Sequence, residues 1–577
     1  MRWNFILAAV AGVCRVQAAA VFVHFMVGNT AGYTDDTWRS DIRLAKEAHI
    51  DAFALNMAHG EAVNEPSLER AFNVAKDEGF KLLFSFDYAG RGPWPKETVI
   101  SYLKKYASRG EYFKHSDGTP LVSTFEGPRN AQDWVDIKKQ VSCFFIPDWS
   151  SEGAKPAMEL ANGVADGLFN WAAWPWGPQD MDTYVDASYF QYLGKKPYMM
   201  PVSPWFYTNM PGYNKNWLWR GDDMWHNRWI QVVYNKPEYV EIISWNDYGE
   251  SHHIGPVYSH ALEAFEVGKA PYNYADNRPH DGWRLTLPFW IDYYKTGKAT
   301  VNQEGLVAWY RTSPSGACSD GGTVGNTASQ LQVEFPPALV MQDKIFFSAV
   351  LAASADATIT VGGTTSSPEW SSVPDGGVGV YHGSVSIEGQ SGAVSIRLSR
   401  RNRILARIDG PTFSSANCVD GLTNWNPWVG SALVPGSVSA TTPRSRSEQG
   451  CTKGTGAKGF TELCEFNCKY DYCPVSSCVC TAVGAPNEKP AALHKDGFPA
   501  KGRSENYSGL CSSACNLGYC PEEYCSPTIQ PTIVPTVSEF LPPACRAGKG
   551  CAGHEGVNDE KLCAFACSRT WCPSDVC

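Results

Sequence analysis

Apolar and polar positions along this chain follow one rhythm for the first 250 residues and another after that. In the first part, short and nearly unbroken apolar runs recur: VFVHFMVG (21–28), DAFALNMA (51–58), KLLFSFD (81–87), PLVSTFEG (120–127), SCFFIPDWS (142–150), GLFNWAAW (167–174), PYMMPVSPW (197–205) and VEIISWND (240–247). Such runs predict strands buried on both faces, as in a parallel sheet covered by helices. The segments between them place apolar residues at helical spacing. In SLERAFNVAKDEG, Leu68, Ala71, Phe72 and Ala75 share one face, and Gly79 ends the pattern. Eight strand–helix units are the number that closes a (β/α)8 TIM barrel, an α/β fold, over residues 21–270. An open doubly wound sheet is the competing arrangement, but no Gly-rich phosphate loop follows any early strand. Polar residues and tryptophans collect at the C-terminal ends of the runs, where barrel enzymes build their sites.

Near residue 271 the period changes. LVAWYRTS, DKIFFSAVLAA, DATITVGG, GVGVYHGSVSIEG and GAVSIRLSR alternate with period two and are broken by Gly, Ser and Pro. This predicts an antiparallel β-sandwich over 271–415 with an accessory, structural role. Beyond it, one cysteine spacing occurs three times: LCEFNCKYDYCPVSSC (463–478), LCSSACNLGYCPEEYC (510–525) and LCAFACSRTWCPSDVC (562–577). The repeats divide the end of the chain into modules at 416–482, 483–525 and 544–577, with a stiff Pro/Thr-rich spacer at 526–543.

Composition then narrows the setting. Residues 1–20 read as a signal peptide: Arg2, the apolar stretch FILAAVAGV and the small residues QAAA. The apolar stretch is too short for a bilayer span, so a secreted protein, extracellular or wall-associated, with no membrane partner is expected. Four thiolates suit zinc. Crowding of most of the 20 cysteines into small secreted modules predicts disulfides instead, since modules of this size need covalent staples. Without Cys14 in the leader the cysteine count is odd, and Cys143, alone in its segment, is the expected free thiol. A net charge of -10 argues against nucleic acid as a partner. Aromatic residues make up 13%, including 21 Trp, which suits a cleft that stacks flat uncharged ligands. Nothing in the sequence demands an oligomer, and a monomer is expected.

Candidate chemistry centres on carboxylates. An acid at a strand end often only caps the next helix, which accounts for Asp35 and Asp180. Asp87, in FSFDYAGRGPW, lies well before the next helical pattern. Asp247 and Glu250 flank Tyr248 and Gly249 in SWNDYGESHHIGP, where glycines permit a tight turn. Carboxylates meeting in an aromatic cleft suit glycosidic bond cleavage: one stays protonated for the leaving oxygen, and another acts on water or on the sugar. Glu126 and Asp148 are further binding candidates. His24, His59, His252 and His253 are read as hydrogen-bonding partners of sugar hydroxyls or of the carboxylates. A metal-dependent hydrolase is an alternative, but adjacent imidazoles do not readily converge and no HExxH occurs, so neither metal nor cofactor is expected. Trp171, Trp174, Trp176, Trp205 and Trp245 are candidates for stacking on sugar faces. Tyr470, Tyr472, Tyr519 and Trp571 are candidates for presenting rings to a polymer, with repetition adding avidity. A wall-binding protein without catalysis is the alternative of a different class.

VFVHFMVGNT, DAFALNMAHG, FSFDYAG, STFEGP, FFIPDWS, GLFNWAAWPWG, PVSPWFYTN and EIISWNDYGESHHIGP together resemble the fungal α-1,3-glucanases, or mutanases, of glycoside hydrolase family 71. The resemblance implies a secreted, endo-acting, inverting hydrolase of α-1,3-glucan that needs no cofactor. It also implies an aspartate after the third strand and an Asp-x-x-Glu pair after the last, here Asp87, Asp247 and Glu250. On this reading Glu250 is the general acid, Asp247 the general base, and Asp87 positions water or sugar. The cysteine repeats resemble glucan-binding modules of carbohydrate-binding family 24, most clearly at 451–482. The second and third copies lack the Cys-x-Cys ending that Cys478 and Cys480 supply.

Overall fold

Ten strands occupy the first part of the chain: β1 Ala20–Met26, β2 Ala52–Ala58, β3 Lys81–Asp87, β4 Leu121–Phe125, β5 Phe144–Asp148, β6 Leu168–Phe169, β7 Tyr198–Val202, β8 Phe206–Met210, β9 Lys215–Trp219 and β10 Tyr239–Ile242. The computed structural model describes residues 19–330, 332–457 and 459–533. Residues 1–18 of the expected signal peptide, the end of the spacer and the third cysteine-rich module with Trp571 lie outside the described residues. Eight of the strands close a parallel barrel in the order β1-β10-β7-β6-β5-β4-β3-β2. The closed barrel, rather than an open sheet, is the fold.

Nine helices among the described residues alternate with these strands: α1 Asp35–Glu47, α2 Asn64–Glu78, α3 Lys96–Tyr106, α4 Ala131–Gln140, α5 Ala154–Glu159, α6 Tyr184–Leu193, α7 Met224–Asn235, α8 Glu263–Val267 and α9 Leu287–Thr296. Local chemistry sets their limits. The Thr34 side chain accepts the Thr37 N–H, and Thr37 returns the bond, so α1 starts in a reciprocal cap with Asp35 and Asp36 against its positive end. Gly79 stops α2 in a left-handed conformation at φ 64°. The α9 helix seals the seam, with Lys295 paired to Asp51 and Asp292 to His49. Alternate strand residues pack outward under the helices, as where Phe145 stacks on Trp134 at 3.8 Å. No helix among the described residues is long and apolar enough to cross a membrane.

The hairpin of β8 and β9 is an insertion between β7 and α7 that the apolar pattern does not reveal. Its third strand comes from far along the chain: Val324–Gly325 runs parallel to β9.

The second domain stacks two antiparallel four-stranded sheets. One takes the order Gly379–Ser386, Lys344–Leu351, Gly305–Tyr310, Trp428–Leu433, and the other Thr364–Ser366, Asp356–Val361, Gly392–Arg400, Arg403–Phe413. The first sheet therefore takes a strand from beyond residue 415, while the stretch just after 271 supplies α9 to the barrel. Alternation along Gly305–Tyr310 divides its side chains between two cores. Leu306, Ala308 and Tyr310 join the sandwich interior, whereas Val307 and Trp309 join the barrel's.

The first two cysteine-rich repeats share one disulfide pattern, nested as first to fourth and second to third cysteine. Cys464–Cys478 encloses Cys468–Cys473, and Cys511–Cys525 encloses Cys515–Cys520. Cys451–Cys480 is an extra staple in the first copy, and Cys318–Cys418 ties two loops of the sandwich domain. Cys143 is free and buried. The two modules share one small core, in which Phe460 stacks on Tyr507 and Phe466 on Tyr519. The first module also docks on the barrel, where Thr183 Oγ1 donates to the Val475 carbonyl at 3.0 Å.

Asp41 on α1 is fully buried and accepts hydrogen bonds from the hydroxyls of Tyr258, at 2.8 Å, and Tyr33, at 3.0 Å. Burial pushes its pKa up to about 7, against the pull of those hydroxyls. The neutral acid is the form the fold prefers, so its contribution to stability is full below the ordinary carboxylate pKa of 3.8 and lost as pH rises through about 7. We expect Asp41→Asn to gain on the wild type across that window, by up to about 1.4 kcal/mol per pH unit. Thermal melting of both proteins at several pH values checks this.

Candidate active site

The loop that leaves β10 carries a polar cluster of Asp247, Glu250 and His252. It is bound on all sides by backbone and buried side chains. Trp245 N–H donates to the His24 carbonyl at 2.7 Å, and Asn246 Oδ1 accepts the Met26 N–H at 2.7 Å, so β1 fixes the first half. The Tyr207 N–H on β8 donates to the Glu250 carbonyl at 3.1 Å, and Tyr274 Oη to the Gly249 carbonyl at 2.6 Å. Gly249 packs closely under Met210: a Cβ there would come 2.8 Å from Met210 Cε, so the methionine side chain would have to shift. Ser251 sits at φ 60°, which reverses the chain and lets Glu250 and His252, one on each side of it, meet.

Within this loop the carboxylates occupy different electrostatic positions. Glu250 Oε1 takes the Lys215 ammonium at 2.6 Å, and Oε2 lies 3.0 Å from His252 Nε2. The Ser244 hydroxyl accepts the Asp247 N–H at 3.0 Å and lies 2.9 Å from His252 Nδ1. A hydroxyl that donates to Nδ1 leaves the imidazole proton on Nε2, directed at Glu250. Burial alone would raise the Glu250 pKa, but the Lys215 charge and the His252 bond outweigh it and hold the carboxyl far below its usual range. Asp247, partly buried, is shifted the other way, by burial and then by the charge of Glu250. Ligand atoms of Asp247, Glu250 and His252 lie within 4.8 Å of one another. A cluster of that size has the dimensions of a cation site, and the Lys215 ammonium already supplies its positive charge.

The two shifts run in opposite directions: the Lys215 charge and the His252 bond favour the ionised form of Glu250, while burial and the neighbouring charge favour the protonated form of Asp247.

Asp87 lies three strands around the barrel, at the end of β3. Its Oδ1 accepts the N–H groups of Ala89 and Gly90, each at 2.8 Å. Burial raises its pKa, while those bonds and the charges of His24 and Lys215 act against the rise. Gly90 allows the close turn, since a Cβ there would sit 2.6 Å from Asp87 Oδ2. Asp87 pairs in register with Phe125, and Phe125 with Asp148, so all three share a face of the sheet.

The other expected residues separate into groups. His24 is buried and lies 2.8 Å from Glu241 Oε1, with the Trp171 ring edge-on at 4.8 Å. Glu126 holds the Ser151 N–H and hydroxyl, and Asp148, fully buried, holds those of Ser150. Burial raises the pKa of both acids. His59, partly buried, packs against Trp94. Trp174, Trp205 and Trp245 are buried and face protein, so they do not offer faces to a sugar. Trp174 stacks on Trp219 and on His252, Trp205 Nε1 donates to the Trp425 carbonyl, and the Trp245 ring packs on Phe53. His253 also turns away, stacked on His280 at 4.0 Å inside the core. In the modules, Tyr470 is buried and Tyr519 lies on Phe466, leaving Tyr472 the most exposed of the three at 38%.

Sequence reasoning missed Lys215, which is 35 residues from its partner and lies on the inserted hairpin. It also missed Tyr213, exposed at 46%; Trp176, which belongs with the tryptophans read from the sequence as sugar-stacking candidates, is exposed at 55%. Tyr213 is at the hairpin tip, within electrostatic reach of Lys215, Glu263, Glu61 and Arg91.

The sequence matches the model of glycosyl hydrolase family 71 over residues 17–441. It is 32% identical over 422 residues to a mutanase of Penicillium rubens, covering 71% of this chain and 88% of that protein. It is 33% identical over 432 residues to a glucan endo-1,3-alpha-glucosidase of Schizosaccharomyces pombe, covering 71% of this chain and 94% of the other. Among solved structures, an endo-alpha-mannosidase of family GH99 aligns with TM-score 0.36 at 14% identity, over 48% of this chain and 97% of that one.

Proposed function

The chain belongs to glycosyl hydrolase family 71 and is a glycoside hydrolase, and from that premise we propose that it cleaves α-1,3-glucan internally, by single displacement. The observation that carries the mechanism is the opposed pair: Glu250 held ionised by Lys215, and Asp247 beside it driven towards its protonated form.

The Asp247 carboxyl gives its proton to the glycosidic oxygen as the C1–O bond breaks. Asp247 and Glu250 approach too closely to stand on opposite faces of one sugar, since an inverting pair is separated by roughly 6.5–9.5 Å. The base is therefore assigned to Asp87, across the mouth. Its carboxylate takes a proton from water as the water oxygen bonds to C1 from the far side, which inverts the α-linkage to a β-product. The raised pKa of Asp87 suits a base, and two backbone N–H bonds orient it. Ionised Glu250 favours the protonated form of Asp247 in the resting site and stabilises positive charge growing on the sugar ring.

Incubation with insoluble α-1,3-glucan should release new reducing ends, and NMR of the first products should show the β-anomer. α-Anomeric products would refute single displacement, and a lack of reducing ends would refute the substrate. In the modules, Tyr472 is the ring best placed to meet polymer. Tyr472→Ala should lower adsorption to insoluble glucan several-fold and leave cleavage of soluble oligosaccharides unchanged, which a pull-down alongside the hydrolysis assay measures.

A further inference from the structure

Lys215 reaches Glu250 from an insertion, and the insertion is held by the second domain. The β9 strand is the middle of a three-stranded sheet whose outer strand, Val324–Gly325, belongs to the segment 318–330. Asn216, next to Lys215, is clamped twice by that segment. Its Nδ2 donates to the Gly321 carbonyl at 3.0 Å, and its Oδ1 accepts from Thr323 Oγ1 at 2.7 Å. Further along, the Asn326 N–H donates to the Leu218 carbonyl at 2.9 Å. The segment is itself anchored at its start by the Cys318–Cys418 disulfide and by the Ser319 N–H bond to the Gly421 carbonyl. A continuous chain of bonds thus runs from the sandwich domain through Asn216 to the ammonium on Glu250.

We propose that Lys215 is a positioning residue for the catalytic carboxylates, and that the 318–330 segment acts as a strap by which the second domain completes the active site. The inference rests on the hydrolase reading above. It gives the sandwich domain a part in the chemistry: without the strap, β9 loses the partner along its outer edge, and the hairpin tip carrying Tyr213 and Lys215 is held from one side only. The groups facing the Glu250–Lys215 pair are His252 and Asp247 on the same loop and Asp87 from β3. Near the tip, Glu61, Arg91 and Glu263 face Tyr213. Of these charged groups, only Lys215 bonds Glu250 from another element, so its removal returns Glu250 towards an ordinary carboxylate.

The test compares pH profiles of kcat/KM on soluble α-1,3-gluco-oligosaccharides for wild type, Lys215→Met, Lys215→Arg and the double variant Cys318→Ser/Cys418→Ser. Lys215→Met should lower kcat about 10–100-fold and move the acidic limb upward by at least about one pH unit. Lys215→Arg should restore most of both. The double cysteine variant should shift the limb the same way by a smaller amount. An active wild type with an unmoved limb in Lys215→Met, or an unmoved limb in the double cysteine variant, overturns the respective part of the proposal. An inactive wild type defeats the hydrolase reading instead. A second measurement needs no catalysis: the gap in melting temperature between wild type and Lys215→Met should narrow steadily as pH falls below 4.5, where Glu250 of the unfolded chain takes up its proton while that of the folded wild type stays ionised. A gap independent of pH overturns the proposal, whatever the activity.

Discussion

Asp247→Asn should lower hydrolysis of α-1,3-glucan by about 10²–10⁴-fold while leaving the melting temperature close to that of the wild type. The loss follows from what the amide cannot do. Asparagine keeps the hydrogen bond of Oδ1 to the Glu250 N–H, so the loop retains its shape, but it has no proton to give the departing sugar oxygen. The size of the effect should depend on the leaving group. An aryl α-glucoside with an acidic phenol needs little protonation, and with it Asp247→Asn should lose far less activity. Asp87→Asn should lose activity towards both substrates, and azide should restore it with formation of the β-glycosyl azide. If Asp247→Asn is impaired equally on both substrates and Asp87→Asn only on glucan, the two roles are exchanged.

Asp186→Ala should destabilise the barrel by about 3–5 kcal/mol and lower the first thermal transition by roughly ten degrees. Asp186 on α6 and Arg228 on α7 are both almost completely buried. The guanidinium grips both carboxylate oxygens, at 2.6 Å and 2.9 Å, and Tyr198 Oη on β7 donates to one of them at 2.6 Å. Arg228 Nε also donates to the Pro201 carbonyl at 2.9 Å. Removing the acid leaves a full positive charge in the core with no hydrogen-bonded counter-ion, which costs more than the pair contributes when intact. Glu65→Ala gives the contrast. Its partner Lys105 is about half exposed, and breaking that pair should barely change the melting curve.

The barrel was legible because its strands are buried on both faces, so each one appears as an unbroken apolar run whatever lies beside it. The hairpin was not, because FYTNM and KNWLW mix rings with polar residues and pair across the mouth rather than in the barrel sheet. The site was half legible. Asp87, Asp247 and Glu250 stand at strand ends where polar residues interrupt apolar sequence. The roles proposed for them turn on Lys215, and neither spacing nor pattern ties it to Glu250. Adjacent residues misled as well: His252 meets Glu250, while His253, one position on, points into the core. The tryptophans misled for a simpler reason. Their clustering at strand ends suggested a binding cleft, yet Trp205 and Trp245 fill volume beneath it. Disulfide pairing was open at the sequence level, because four cysteines in one repeat allow three connectivities.

The strand Gly305–Tyr310 faces two interiors at once, with Val307 and Trp309 on one side and Leu306, Ala308 and Tyr310 on the other. A catalytic fragment cut anywhere between the barrel and this strand would leave Trp283 and Trp290 uncovered and would precipitate. Attempts to trim the enzyme or graft it onto other carriers must therefore move both layers together, as one indivisible cassette. The two cysteine-rich modules further along the chain are held instead by covalent cross-links around their own small shared core.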